Sequence, residues 1–219
     1  MVEFVMNYID RVFYINLERR VDRFQQINEQ IISLHIPFEK VERFSAIEGG
    51  QIGCIQSHLA IIRLAKERQY KCIMILEDDF QSIVSGEEFH HELTTFFKKP
   101  VAQDFYVLML SYLCNASKPL DDQLLIGTDC SDASAYIVHS CCYDRLIELL
   151  DAGWRNLLET GQHWLYMNDQ VWKQLQRDDR WFIMKKRIGK QNTGFVSDLA
   201  NTQIIRTGPS ENDFIIQPC

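Results

Sequence analysis

Lys71-Cys72-Ile73-Met74-Ile75-Leu76-Glu77-Asp78-Asp79-Phe80 runs an apolar segment straight into three carboxylates. The apolar part is too short for a typical helix and reads as a strand buried on both faces. Such strands belong to parallel sheets of α/β proteins, whose ligands bind in the crevice beyond the strands' carboxyl ends. The acidic triplet sits at that end. Side chains alternate along a strand, so Glu77 and Asp79 are expected on one side and Asp78 on the other. Adjacent carboxylates repel unless a cation or hydrogen-bond donors relieve them, and hard oxygen ligands suit Mg²⁺ or Mn²⁺. A solvated acidic turn would carry the same residues, so the triplet alone leaves both readings open.

Upstream, Arg11-Val12-Phe13-Tyr14-Ile15-Asn16 is a second strand candidate. Asp22, with Gln25 three residues on, forms a capping box for a helix striped by Phe24, Ile27, Ile31 and Leu34 and ended by Pro37. Phe38 to Phe44 reads as another strand. Arg19, Arg20 and Arg23 cluster where the first strand passes into its helix, a place that favours an anion, although pairing with Glu18, Asp22 and Glu29 would use them equally well. Gly49 and Gly50 break the chain before a helix striped by Ile52, Ile55, Leu59 and Ile62. Ser57 and His58 lie on it, where a single histidine reads first as a hydrogen-bonded packing residue. The order β-α-β-α-β predicts a parallel sheet with right-handed crossovers.

Beyond the triplet, Glu87 to Lys98 reads as a helix, Phe105 to Leu110 as a buried strand and Ser111 to Asp132 as a polar irregular stretch with Leu124-Leu125-Ile126 as an edge strand. Ala133 to Val138 reads as a strand, Tyr143 to Leu150 as a helix, and Asp169 as the start of a Trp-containing helix over Gln170 to Gln176. The length of 219 residues fits one domain over 1–219, and the 46% hydrophobic and 24% charged fractions are those of a soluble globular chain. A net charge of −7 speaks against a sequence-independent nucleic-acid binder. Seven cysteines without a CxxC pair form neither a disulfide framework nor a zinc pattern, and reduced, mostly buried thiols in the cytoplasm are expected. No signal peptide or transmembrane run is read from the sequence, which leaves a cytoplasmic chain, if need be peripheral to a membrane.

Three stretches in order, Asn16-Leu17-Glu18-Arg19-Arg20-Val21-Asp22-Arg23, Gly53-Cys54-Ile55-Gln56-Ser57-His58-Leu59-Ala60 and Leu76-Glu77-Asp78-Asp79, resemble the successive signatures of glycosyltransferase family 25. That family includes bacterial lipopolysaccharide galactosyltransferases, collagen galactosyltransferases and giant-virus relatives. Val21 stands where the family often has Pro. Farther on, Ala135-Tyr136-Ile137, Asn168-Asp169-Gln170-Val171-Trp172, Gly189-Lys190-Gln191 and Phe195-Val196-Ser197-Asp198 resemble the family's later pattern, with Lys185-Lys186-Arg187 where a Pro is common. The resemblance covers Val12 to about Leu199.

The resemblance implies an α/β fold of GT-A type: a Rossmann-like, mostly parallel sheet flanked by helices. It implies an inverting, metal-dependent transferase that moves a hexose, galactose or glucose, from a UDP-sugar to a hydroxyl of a glycan, glycolipid or protein acceptor. Asp79 is then the expected ligand of Mn²⁺ or Mg²⁺ and Glu77 a ribose or metal contact, with Asp78 structural. Asn16, Arg20 and Arg23 are expected at the nucleotide and diphosphate, and Gln191 at donor or acceptor. Asp169 is the expected general base, with a helix N-cap as its alternative role. Trp164, Tyr166, Trp172 and Trp181 are candidates for a sugar-stacking surface, with burial in the core as the commoner role of such residues. A non-catalytic nucleotide-sugar or glycan-binding module on the same fold is the competing reading. A metal-dependent phosphoesterase ranks last, because no second ligand cluster is present.

Overall fold

The computed structural model describes residues 1–194. Its centre is the strand quoted above, β3 (Cys72–Glu77), which pairs parallel with β1 (Arg11–Asn16), itself parallel to β2 (Val41–Ser45). On its other side β3 pairs antiparallel with β8 (Ala135–His139). The sheet continues through β5 (Val107–Met109), β9 (Trp181–Met184) and β7 (Leu124–Ser131) to β6 (Leu113–Pro119), in the order β2-β1-β3-β8-β5-β9-β7-β6. Only β8 and β7 run against the other strands, so the expected α/β sheet is present with two reversed members.

The alternating side chains of β3 feed two cores. Ile73 and Ile75 join Phe13 and Ile15 of β1 under α3 (Gln51–Glu67) and α5 (Tyr143–Thr160), where Ile55, Leu59, Leu146 and Leu150 pack. Cys72, Met74 and Leu76 join Val12 and Tyr14 under α1 (Val2–Tyr8), α2 (Val21–Ser33) and α4 (Gly86–Phe97), with Ile27, Ile31, Phe89 and Leu93. This two-sided burial is why the strand shows no polar alternation.

Several local expectations need correction. Helix α2 begins at Val21, with Arg20 at its N-cap, so Asp22 lies inside the first turn and makes no capping box. There it complements the helix dipole and pairs with Arg20 instead. The stretch Phe38–Lys40 is a 3₁₀ turn before β2. The polar region after Ser111 forms the β6–β7 hairpin, in which β6 rather than Leu124–Ile126 is the edge. The helix after Gly161 is broken into α6 (His163–Tyr166), α7 (Asn168–Val171) and a 3₁₀ stretch over Trp172–Asp178. Trp172 and Trp181 are core residues with rings 5.0 Å apart, so they offer no stacking face, whereas Trp164 is exposed. A separate pair, β4 (Phe80–Ser82) and β10 (Gly189–Gln191), closes beside the end of β3.

The carboxyl ends of the parallel strands coincide: Ile15 is level with Glu77, and Asn16 with Ser45. The turn into α3 lies next to them. Gly49 (φ 124°) and Gly50 (φ 59°) take backbone conformations that favour glycine, and a Cβ on Gly53 would sit 2.1 Å from the Ile47 carbonyl oxygen. Gly53→Ala forces the 47–48 backbone away from α3, an overpacking that costs about 1–3 kcal/mol. Calorimetry should show the melting temperature of the variant lowered by several degrees, and an unchanged value would mean that the turn moves freely.

Candidate functional site

Strand β3 ends at Glu77, and Asp78 and Asp79 occupy the turn that follows. Strict alternation therefore stops one residue early, which corrects the expectation that Glu77 and Asp79 share a side. Glu77 turns toward α3, while Asp78 and Asp79 both turn toward α2 and meet one guanidinium. Arg23 Nη1 donates to Asp78 Oδ1 at 2.9 Å and lies 3.3 Å from Asp79 Oδ2. All three side chains are about nine-tenths buried.

The other oxygens of the two aspartates meet different surroundings. Asp78 Oδ2 accepts from Asn16 Nδ2 at 2.8 Å, and that amide also donates to the Arg20 carbonyl. Asn16 Oδ1 accepts from Arg43 of β2 at 2.7 Å, so the Asn16 side chain ties the ends of β1, β2 and β3 together. Asp79 Oδ2 accepts from Gln191 Nε2 at 3.0 Å, and the Asp79 carbonyl accepts the Asn192 amide. That contact depends on Gly189, where a Cβ would collide with the Phe80 ring. Asp79 Oδ1 is buried with no partner among the described residues. Burial first, then the charge of Glu77, pushes the Asp79 carboxyl up to about 8, and burial raises Asp78 as well despite Arg23 and Asn16.

Glu77 is treated differently. Burial opposes its charge, but the bond from His58, with help from Arg23 and Cys54, outweighs that and holds its carboxyl below the usual range. Its Oε1 lies 2.9 Å from His58 Nε2 and 3.7 Å from Cys54 Sγ. An ionised Glu77 only accepts, so Nε2 carries a proton, and in the neutral ring Nδ1 accepts the Tyr136 hydroxyl at 2.9 Å. Cys54 and His58, four residues apart on α3, thus face one carboxylate, and one ligand atom from each of the three lies within 4.8 Å of the others. Sequence reasoning assigned His58 to packing and passed over Cys54. Their spacing of four before an acidic strand end was the available signal.

Asp169 reaches the same place from α7, which packs on the same face of the sheet as α3 and α5. It lies in the first turn of α7, whose N-cap is Met167, so it is not the cap of that helix. Its Oδ2 accepts the Asp132 amide at 3.2 Å, and Oδ1 accepts from Gln170 at 3.2 Å. Asp132 holds a left-handed backbone (φ 79°), strained for a residue other than glycine, with its carboxylate bonded to the Ser111 hydroxyl (2.7 Å) and the Ser134 amide (2.9 Å). Burial, with added repulsion from Asp132 and Glu77, raises the Asp169 carboxyl. The Cys54 thiol, raised mainly by burial, feels the charges of Glu77, Asp169 and Asp79 together, which locates all three carboxylates around one spot.

The sequence candidates therefore divide. Asn16, Arg23, Glu77, Asp79 and Gln191 converge at the end of β3, and Asp169 faces them. Arg20 stands at the rim, its guanidinium bidentate on Asp22, whose carboxyl it pulls down to about 2. Arg43 and Cys54 join the site without having been foreseen, and His58 joins it as the hydrogen-bonded buried residue it was expected to be. Asp198 lies outside the described residues.

Residues 42–123 match the model of the family described as glycosyltransferase family 25 (LPS biosynthesis protein). No curated protein matches the chain. Among solved structures, the chain resembles a mannose-1-phosphate geranyltransferase from Thermus thermophilus at 9% identity (TM-score 0.52, 84% of this chain and 74% of that one). It also resembles a glycosyltransferase involved in glycosylation of the major capsid of PBCV-1 at 12% identity (TM-score 0.51, 84% of this chain and 93% of that one). At such identities the likeness concerns the fold, which is that of GT-A-like proteins.

Arg23 bridges two buried carboxylates, and removing one partner of a buried ion pair strands the remaining charge at a cost of about 3–5 kcal/mol. Arg23→Ala should lose stability on that scale in urea unfolding. A loss below about 1 kcal/mol would mean that water reaches Asp78 and Asp79 and replaces the arginine.

Proposed function

We propose that this chain, a family 25 glycosyltransferase by the match over residues 42–123, moves a hexose from a UDP-sugar to a hydroxyl of a glycan, glycolipid or protein with inversion, and does so with a divalent cation. The observation that carries the reading is the presence of two unlike buried carboxylates near the Cys54 thiol. Asp79 has a buried oxygen without a partner among the described residues, and Asp169 is held by the Asp132 amide.

The Asp79 side chain fits a cation. Its orphan Oδ1 and the upward push on its carboxyl are what a buried acid shows when the charge that would compensate it is missing. Asp79 would hold Mn²⁺ or Mg²⁺, with Glu77 next to it, and the ion when bound supplies neutralisation of the charge that grows on the departing diphosphate. Asp78, clamped by Asn16 and Arg23, fixes the turn that aims Asp79. Arg20, at the N-terminus of α2, would turn from Asp22 to the diphosphate of the donor.

Asp169 takes the proton. In a single displacement the acceptor oxygen bonds to the anomeric carbon as the bond from that carbon to the UDP oxygen breaks, and the hydroxyl proton passes to the carboxylate. Burial raises Asp169, which makes it a stronger base once ionised, and the Asp132 amide keeps one of its oxygens oriented. Gln191, bonded to Asp79 on the strand that closes beside the site, would touch the donor.

Two variants test this assignment, after a screen of UDP-sugars with Mn²⁺ read by UDP release. Asp79→Asn should lose most metal-dependent UDP release while keeping its melting temperature, and full activity of the parent in excess EDTA would refute the metal requirement. Asp169→Asn is nearly isosteric and retains a group that can accept the Asp132 amide. It should keep UDP affinity by calorimetry and lose transfer by about a hundredfold to ten-thousandfold. Parent-like transfer would remove Asp169 from the base role. Binding of UDP-sugars without turnover of any acceptor or of water would favour the non-catalytic module.

A further inference from the structure

Far from the acidic end of β3, on the hairpin at the edge of the sheet, two thiols meet. Cys114 of β6 is the register partner of Cys130 of β7, and their sulfurs are 3.2 Å apart. The backbone of Cys130 turns the other way: its amide donates to Gln176 Oε1, and its carbonyl accepts from Gln176 Nε2 (both 2.8 Å) and, at 3.4 Å, from Trp172 Nε1. The Cys114–Cys130 pair is therefore a non-hydrogen-bonded pair of the antiparallel ladder, whose Cα atoms approach to about 4.5 Å, inside the range a disulfide spans. Gly127 helps hold the geometry, since a Cβ there would stand 2.7 Å from the Cys130 sulfur. Cys130 is fully buried and Cys114 partly exposed, so one thiol is open to a reagent and the other is placed behind it.

We infer that Cys114 and Cys130 form a dithiol that low-molecular-weight disulfides oxidise to a cross-strand disulfide, with Cys114 the attacking and Cys130 the resolving thiol. The Cys114 thiolate attacks one sulfur of the small disulfide and expels its other half as a thiolate. Cys130 then gives up its proton to solvent, attacks the Cys114 sulfur and expels the second half. Two protein thiols and one small disulfide become one protein disulfide and two small thiols. The bond from Cys130 to Cys114 favours this order: it brings the Cys114 thiol down to about 7 and drives Cys130 up, so the exposed member is the nucleophile. The bond closes the otherwise exposed edge hairpin, and its strand β7 leads within two residues of Cys130 to Asp132.

The test uses oxidised glutathione on the reduced, unmodified chain, followed by alkylation of remaining thiols and digestion at Asp121 or Asp122, which separates the two cysteines. The expected product is a Cys114–Cys130 cross-linked peptide two hydrogens lighter than its parts, with both residues lost to alkylation and no glutathione retained. In Cys130→Ser the reaction should stop at one glutathione on Cys114. Both thiols still open to alkylation, a stable glutathione adduct on Cys114 of the parent chain, or a Cys114 bond to the exposed Cys141 would each overturn the inference. The first measurement needs no variant and no sugar transfer, so it stands apart from the reading of the acidic site.

Discussion

Arg23 between Asp78 and Asp79 is the contact on which the end of the sheet depends. Three consecutive carboxylates, two of them nearly out of water, are placed where three parallel strands finish together. Left alone they would repel and protonate. The fold meets that repulsion with donors from four separate parts of the chain. Asn16 comes from the end of β1, Arg23 from the first turns of α2, His58 and Cys54 from α3, and Gln191 from the late pair beside β3. None of these is adjacent in sequence to the triplet, so the site and the βαβαβ winding require one another. If the helices packed otherwise, the acids would have no partners.

The winding itself was legible because it is written locally. A five-residue apolar run flanked by charge reads as a doubly buried strand, and the stripes of α2 and α3 repeat at helical spacing over many residues. What the sequence concealed was tertiary in origin. Trp181-Phe182-Ile183-Met184 is a central strand, but four apolar residues offer no periodicity to separate strand from helix. The β6–β7 hairpin was hidden by polar residues, as an edge pair with one solvated face must be. Trp172 and Trp181 took the commoner of the two roles open to them, burial in the core.

The site follows the same division. Asp79, Asp169 and Asn16 carried signals in their local surroundings, an acidic strand end, a helix start and a strand end. Arg43 and Asp132 carried none, because a β-strand arginine and an aspartate with φ 79° acquire their meaning only from what they face. His58 was read as a hydrogen-bonded packing residue for a sound physical reason, and it is one. A buried histidine on an apolar helix face is ordinarily satisfied by neighbours, and this one is; its neighbour happens to be Glu77.

That satisfaction makes the three acids unequal, and the inequality is what gives the crevice direction. Glu77 is held ionised by His58 and Cys54, and Asp78 is locked between Asn16 and Arg23. Both oxygens of Asp78 are engaged, and Glu77 is engaged through Oε1. Asp79 shares Arg23 with Asp78, takes one bond from Gln191 and keeps one buried oxygen unmatched among the described residues. In the proposed reading, a cation would meet this buried, unmatched Asp79 oxygen beside the ionised Glu77. Asp169 stands near enough to feel Glu77 yet has its own partners in the Asp132 amide and Gln170, so it remains a separate carboxylate. In the proposed reading, one acid with an open oxygen and another with its own anchors divide the work of displacement between leaving group and nucleophile, which four equivalent carboxylates could not do.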